Sequence, residues 1–199
     1  MSRELKDLNF GKKASTYDKS LGKITGRFHH LLLEQLELNP GANILDIGCG
    51  TGSLLRKIAD SYPINGFGID MSENMIVEAK KKCPEMEIQV SRCEETPFRE
   101  NTFDAVTTCM AYHHFSDRAG FAKEAARIIK PRGCLYIVDP CFPFVIRKTL
   151  NTFFRIFRIA GKFFSAEEIY EDFSTHGFEP CGHKRESYAQ VVKMVLAKD

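Results

Sequence analysis

The chain has 199 residues, 43% hydrophobic and 27% charged, with a formal net charge of +2. These values suit one globular unit with a sizeable core, and they exclude the strong positive field that would draw the chain to nucleic acid. The first ten residues mix Arg3, Glu4, Lys6 and Asp7 with isolated apolar side chains. That is not a signal-peptide pattern, and no apolar run reaches membrane-spanning length, so the expected location is cytoplasmic. The seven cysteines, Cys49, Cys83, Cys93, Cys109, Cys134, Cys141 and Cys181, form no C-x-x-C pair and are odd in number. They read as reduced thiols, without metal or disulfide framework.

In chain order, residues 21–38 carry an apolar stripe at helical spacing (Ile24, Phe28, Leu31, Leu32, Leu36) that Asn39-Pro40-Gly41 is expected to end. Residues 43–47 read as a short apolar strand, 48–52 as a glycine-rich loop and 53–62 as a helix. The alternation repeats with a strand at 64–69, a helix at 72–82 and a strand at 87–90. It continues with a strand at 103–109, a helix at 117–130, a Pro131-Arg132-Gly133 turn and a strand at 134–138. Strands that alternate with helices imply right-handed crossovers and a doubly wound parallel sheet covered on both faces, an α/β fold. Residues 165–175 read as a helix with Ser165 as its cap, Glu168 three residues later and Gly177 as its stop. Residues 188–198 read as a strand with no helix before it, which favours an antiparallel final hairpin.

Ile44-Leu45-Asp46-Ile47-Gly48-Cys49-Gly50-Thr51-Gly52 is the most informative segment. A strand enters a loop with glycines at alternate positions, which permit a tight turn and close approach of backbone to a ligand. A dinucleotide fingerprint has its third glycine one place later, where Ser53 stands. Asp46, inside the strand, is positioned to hold loop amides and reach a ligand ammonium. Asp70 falls twenty residues after Gly50, the separation at which an acid grips ribose hydroxyls. Alone it could equally serve as a helix cap beside Ser72.

On these residues the chain resembles the class I S-adenosylmethionine-dependent methyltransferases, in the branch that includes quinone- and sterol-type C-methyltransferases. Leu45 to Gly52 matches the family's first motif, and Asp70 its ribose-binding acid. Cys93-Glu94-Glu95-Thr96-Pro97-Phe98 stands where the family has its adenine segment. Phe103-Asp104-Ala105-Val106 opens the fourth strand, and Ile128 to Gly133 matches the turn before the fifth. The resemblance implies a Rossmann-like sheet of seven strands with an antiparallel last strand. It implies one methyltransferase domain over 1–199, with an N-terminal helical cap at 1–38 and a substrate lid at 141–164. It also implies S-adenosylmethionine as cofactor, with S-adenosylhomocysteine as product.

The resemblance puts Tyr17, Asp46, Gly48, Cys49, Gly50, Gly52, Asp70, Met71, Cys93, Glu94, Cys109 and Met110 against the cofactor. Arg92 stands where an adenine-accepting Asp is usual, and Arg offers no acceptor. Either Glu94 takes that place or backbone around Cys93 reads the ring. Cys49, Cys93 and Cys109 share the cofactor end, where small soft residues suit close backbone approach better than they suggest a metal.

Methyl transfer from a sulfonium needs orientation above all, and a base only where the acceptor keeps a proton. Tyr112, His113 and His114 follow strand four, and His113 is the candidate base. Adjacent residues are expected to point apart, so the two histidines are not expected to share one task.

Between 144 and 162 lie Arg147, Lys148, Arg155, Arg158 and Lys162, interleaved with apolar residues at helical spacing and with no acid. Such a helix covers a pocket, packs in the core, or makes peripheral contact with a membrane. Residues 109–112 read Cys-Met-Ala-Tyr and not Asn/Asp-Pro-Pro-aromatic, so a small, apolar or lipid-like acceptor is expected and nucleic acid is not. Two other readings stand beside methyl transfer: a catalytically silent S-adenosylmethionine-binding accessory protein, and a nicotinamide-dependent oxidoreductase.

Overall fold

The structure is a computed structural model that describes residues 14–159 and 161–197, with side chains of the first helix described at residue 22 and from 24 onward. The chain runs α1 (Ala14–Leu33), β1 (Asn43–Ile47), α2 (Ser53–Ser61), β2 (Asn65–Asp70), α3 (Glu73–Lys82) and β3 (Glu87–Val90). It continues with β4 (Phe103–Cys109), a 3-10 turn (Tyr112–His114), α4 (Arg118–Ile128) and β5 (Ile129–Pro140). The last elements are α5 (Phe144–Ile156), α6 (Ala166–Ser174), β6 (Phe178–Glu186) and β7 (Ala189–Leu196). The strands form one sheet in the order β3-β2-β1-β4-β5-β7-β6. β1 to β5 are parallel, and β7 pairs antiparallel with β5 and β6. The order reverses between β1 and β4, which opens a crevice at their carboxyl ends.

Strand residues alternate between two faces. Leu45, Ile47, Ile69, Val106, Leu135, Ile137, Val192 and Met194 face α4 and α6, where they meet Phe121, Ala125, Ile169 and Phe173. Ile44, Ala105, Tyr136, Val138 and Val191 face α1, α2 and α3 and meet Phe28, Leu31, Leu55, Ile58 and Ala79. Burial on both faces explains why these strands read as continuous apolar runs.

Two elements differ from the sequence pattern. The first helix ends at Leu33 instead of residue 38. Gln35 N bonds Leu32 O at 2.8 Å, tightening the last turn, and Tyr62 donates its hydroxyl to Leu36 O. Leu36 still enters the core, so apolar periodicity outlasts the helix. The fifth strand extends to Ile129–Pro140 around Pro131-Arg132-Gly133. There Arg132 takes φ +62° and the register steps from Phe103 against Ile129 to Ala105 against Cys134. The turn residues make an irregularity within one strand, not a separator.

The expected capping box on α6 is present, Ser165 accepting from Glu168 N and Glu168 reaching back to Ser165 N. β6 and β7 form the expected final hairpin.

Candidate active site

The loop after β1 lies at the crevice. Gly48, Gly50 and Gly52 take φ +73°, +53° and +75°, a region that disfavours L side chains. A Cβ built on Gly48 would stand 2.6 Å from Ala111 Cβ, so the loop after β4 packs directly on the glycine loop. A Cβ on Gly50 would meet nothing within 4 Å, so that side of the loop is open. Gly48 N and Cys49 N both donate to Ile69 O, at 2.8 and 3.0 Å, which ties the loop to the end of β2.

The two acids divide their tasks differently from the sequence expectation. Asp46 holds no loop amide; its Oδ1 accepts from Thr107 Oγ1 on β4 at 2.7 Å. The side chain is buried on the α1–α3 face, and burial, with Asp70 nearby, pushes its carboxyl up to about 7 despite the Thr107 bond. Asp70 is the residue that fastens the loop. Its Oδ2 accepts from Gly50 N at 3.0 Å and its Oδ1 from Ser72 N at 2.9 Å. Ser72 is itself the N-cap of α3, accepting from Met75 N, so loop-holding and capping duties meet at one turn.

Met71 is exposed at the next position. Glu94 is engaged on both oxygens, paired with Arg92 through one and accepting from Cys93 Sγ at 3.2 Å through the other. Arg92 therefore pairs with Glu94, two residues on. Behind this segment the buried Glu124 accepts from Thr96 N and Oγ1 and pairs with Arg127. Tyr17 lies on α1, and its side chain falls outside the described residues.

Beyond β4, Met110 takes φ +55° and the chain enters the 3-10 turn. Tyr112 points into the core, fully buried, with its hydroxyl on Asp172, which Arg118 also holds. His113 and His114 do not point apart. Their ring centroids lie 3.9 Å from each other, although a 3-10 turn sets successive residues about 120° apart.

The residue that sequence reasoning missed is Asp139, near the end of β5. Its Oδ2 accepts from His113 N at 2.9 Å, and its Oδ1 stands 2.8 Å from His113 Nδ1. Burial raises Asp139, opposed by His113. With Asp139 ionised and His113 neutral, Oδ1 accepts from Nδ1–H and Nε2 is left as an acceptor. The available signal was an acid closing the apolar run Leu135-Tyr136-Ile137-Val138.

All seven cysteines are free thiols. Burial pushes Cys49 and Cys109 well up and Cys93 up to about 11, so these three behave as small apolar residues, not nucleophiles.

Residues 45–137 match the family described as methyltransferase domain. The demethylmenaquinone methyltransferase of Chlorobaculum tepidum is 33% identical over 142 residues, which cover 69% of this chain and 59% of that protein. The chain thus spans less than two thirds of that relative. Among solved structures, a complex between the Haloferax volcanii Trm112 methyltransferase activator and a methyltransferase matches with a TM-score of 0.83 at 19% identity, covering 95% of this chain and 98% of that one. A SAM-dependent methyltransferase from Aquifex aeolicus matches with a TM-score of 0.69 at 21% identity, over 84% and 89%. The chain therefore shares the fold of these solved structures, and its residues 45–137 match a methyltransferase domain. In sequence it is similar to the demethylmenaquinone methyltransferase of Chlorobaculum tepidum.

Proposed function

We propose that the chain transfers the methyl group of S-adenosylmethionine to a small apolar acceptor and releases S-adenosylhomocysteine. The observation that carries this reading is Asp46: a carboxylate 2% exposed, with a neutral hydroxyl as its hydrogen-bond donor, beside the open side of a glycine loop. A buried acid in that state suits a ligand that brings its own positive charge. The cofactor would supply an electrophilic methyl on sulfur and a good leaving group.

Asp46 takes the ligand ammonium in this reading, and the backbone of Gly48, Cys49, Gly50 and Gly52 lines its path. A carboxylate accepts at about four sites, so Asp70 receives ribose hydroxyls while holding the Gly50 and Ser72 amides. Met71, Cys93 and Glu94 border the adenine, Cys109 and Met110 the methyl end, and Tyr17 closes over the cofactor from the 1–38 cap.

His113 is assigned the proton that an acceptor carbon or hydroxyl loses as its bond to methyl forms; Nε2 receives it while Asp139 holds Nδ1–H. Residues 141–164 cover the acceptor. The Chlorobaculum relative's name supports an acceptor of the quinone class, and the reduced thiols support a cytoplasmic location.

The first test is calorimetric titration with S-adenosylmethionine, S-adenosylhomocysteine and NADH. Saturable binding of the two adenosyl compounds alone is expected, and binding of NADH alone would overturn the reading. Methyl transfer to a demethylated quinone then separates an enzyme from a silent binding protein. His113→Gln should lower kcat by about 10²–10⁴ with cofactor affinity unchanged; an unchanged kcat removes His113 from the reaction.

A further inference from the structure

α5 presents its apolar side to the outside. At 3.6 residues per turn, Arg147, Leu150, Asn151 and Phe154 fall on one side of the helix, and these four are its half-buried residues. That orientation is set by specific contacts. Arg147 pairs with Glu168 on α6. Asn151 brackets Phe163, donating Nδ2–H to its carbonyl and accepting its N–H, both at 2.9 Å.

The opposite side carries Val145, Ile146, Phe153, Ile156 and Phe157, an arc of about 120° at that periodicity. They are 73%, 50%, 47%, 66% and 63% exposed. Phe144 and Ile159 extend the same exposed apolar surface. Thr149, also on this side, donates its hydroxyl to Val145 O, which masks its polarity inside the helix.

Were α5 only a pocket cover, its apolar arc would face inward. It faces outward, and its edge is cationic. Lys148 and Arg155 both border the Val145 edge of the arc, Arg158 and Lys162 follow, and no Asp or Glu occurs between Asp139 and Glu167. Lys148 Nζ lies 4.4 Å from the Phe144 ring centroid, so charge and ring share one rim. An apolar arc bordered on one edge by cations, with no acid near it, matches the boundary between acyl chains and anionic headgroups. A second copy would bring like charges together, and a nucleic acid would leave the apolar arc in water.

We propose that α5 is a docking helix that seats the chain on an anionic lipid surface. Its inner side leads to the candidate base. Phe154 packs on Phe163 with centroids 5.5 Å apart, Phe163 lies 5.7 Å from the His113 ring, and Lys162 N donates to His113 O at 2.9 Å. Docking therefore turns the acceptor side toward the bilayer, where an apolar acceptor dissolves. That consequence rests on the function proposed above; the docking itself does not.

Vesicle flotation of the full chain tests the docking. Vesicles of phosphatidylcholine with about 30 mol % phosphatidylserine should carry the chain, and pure phosphatidylcholine should carry far less. Raising salt from about 0.1 M to about 0.5 M should release it. Removing three exposed cations (Lys148→Gln, Arg155→Gln, Arg158→Gln) should weaken binding on the order of a hundredfold, at about fivefold per charge. Phe153→Ser with Ile156→Ser should abolish flotation at an unchanged melting temperature, since both side chains are exposed.

Flotation that either variant set leaves unaltered overturns the proposal, as does failure of the native chain to bind anionic vesicles. A native dimer that becomes monomeric in Phe153→Ser/Ile156→Ser, without flotation, assigns the face to a second copy and overturns it too. S-adenosylmethionine titration of the same preparation keeps the two readings apart: flotation without cofactor binding sinks the proposed function and leaves the docking standing.

Discussion

If Asp46 receives a cationic ligand, cofactor affinity must depend on its proton. Burial holds its carboxyl at about 7 in the ligand-free chain, so near neutrality half the molecules carry a proton where the ammonium must sit. The bound cation favours the ionised form. Between pH 8 and pH 6 the ionised fraction falls about tenfold, and the association constant should fall with it, with about half a proton released per ligand at pH 7.

The linkage has a second side. A carboxyl raised on folding costs stability as pH climbs from its ordinary value through about 7. By about 1.4 kcal/mol per pKa unit, the ligand-free fold carries a burden on the order of 4 kcal/mol at pH 8. Asp46→Asn keeps an acceptor for Thr107 and removes the charge. It should stabilise the ligand-free chain at pH 8, flatten the pH dependence and weaken binding. Calorimetry in buffers of differing ionisation enthalpy measures the proton release, and urea denaturation at pH 5 and 8 measures the stability. Subtracting the Asn variant removes titration of the ligand's own amine. Affinity that is equally flat in both proteins, with no stability gain in the variant, would refute the reasoning.

Asp70→Ala removes the acceptor of the Gly50 and Ser72 amides as well as the proposed ribose contact. Affinity should drop by roughly 1–3 kcal/mol, the scale of hydrogen bonds to a charged group, and an unchanged titration curve would take Asp70 out of the site. Gly48→Ala places a Cβ 2.6 Å from Ala111 Cβ at a φ of +73°. It should cost on the order of 1–3 kcal/mol in denaturant unfolding, and a neutral result would mean the two loops separate freely. Asp139→Asn removes the charge that orients His113. The pH–rate profile should shift with little change in cofactor affinity, and an unmoved profile would leave Asp139 a purely structural partner.

The sheet was legible because both faces are buried. Apolar runs such as Ile44–Ile47 and Leu135–Val138 separate cleanly from amphipathic helices, and Gly48, Gly50 and Gly52 mark the crossover where a side chain fails. Local caps were legible for another reason: Ser165 and Glu168 interact within one turn. Partnerships across elements were not. Asp46 meets Thr107 across 61 residues and His113 meets Asp139 across 26, and no local periodicity encodes either pair. The first helix was misjudged at its end because Leu36 is buried whether or not its backbone is helical. The outward turn of α5 was hidden too, since amphipathicity gives a helix two sides without saying which one the Arg147 and Asn151 contacts pull inward.

The strand period also divides the buried polar groups along β4 between the two faces of the sheet. Thr107 and Thr108 are neighbours on β4 and therefore point to opposite faces. Thr107 serves Asp46 on the side of α1 to α3. Thr108 shares the other face with Asp139 and, across the β5–β7 pair, with Gln190. Among the described residues, Thr108 Oγ1 and Gln190 Oε1 are buried without a hydrogen-bond partner, although Gln190 Nε2 donates to Phe164 O. Unmet polar atoms inside a fold are costly, and here both lie on the face that presents Asp139 and His113. The face assigned to the cofactor holds an acid without a cation, and the face assigned to the acceptor holds two polar atoms without partners. Each is the kind of deficit that a ligand, or an ordered water it displaces, corrects. One strand, β4, borders both groups by alternating its side chains.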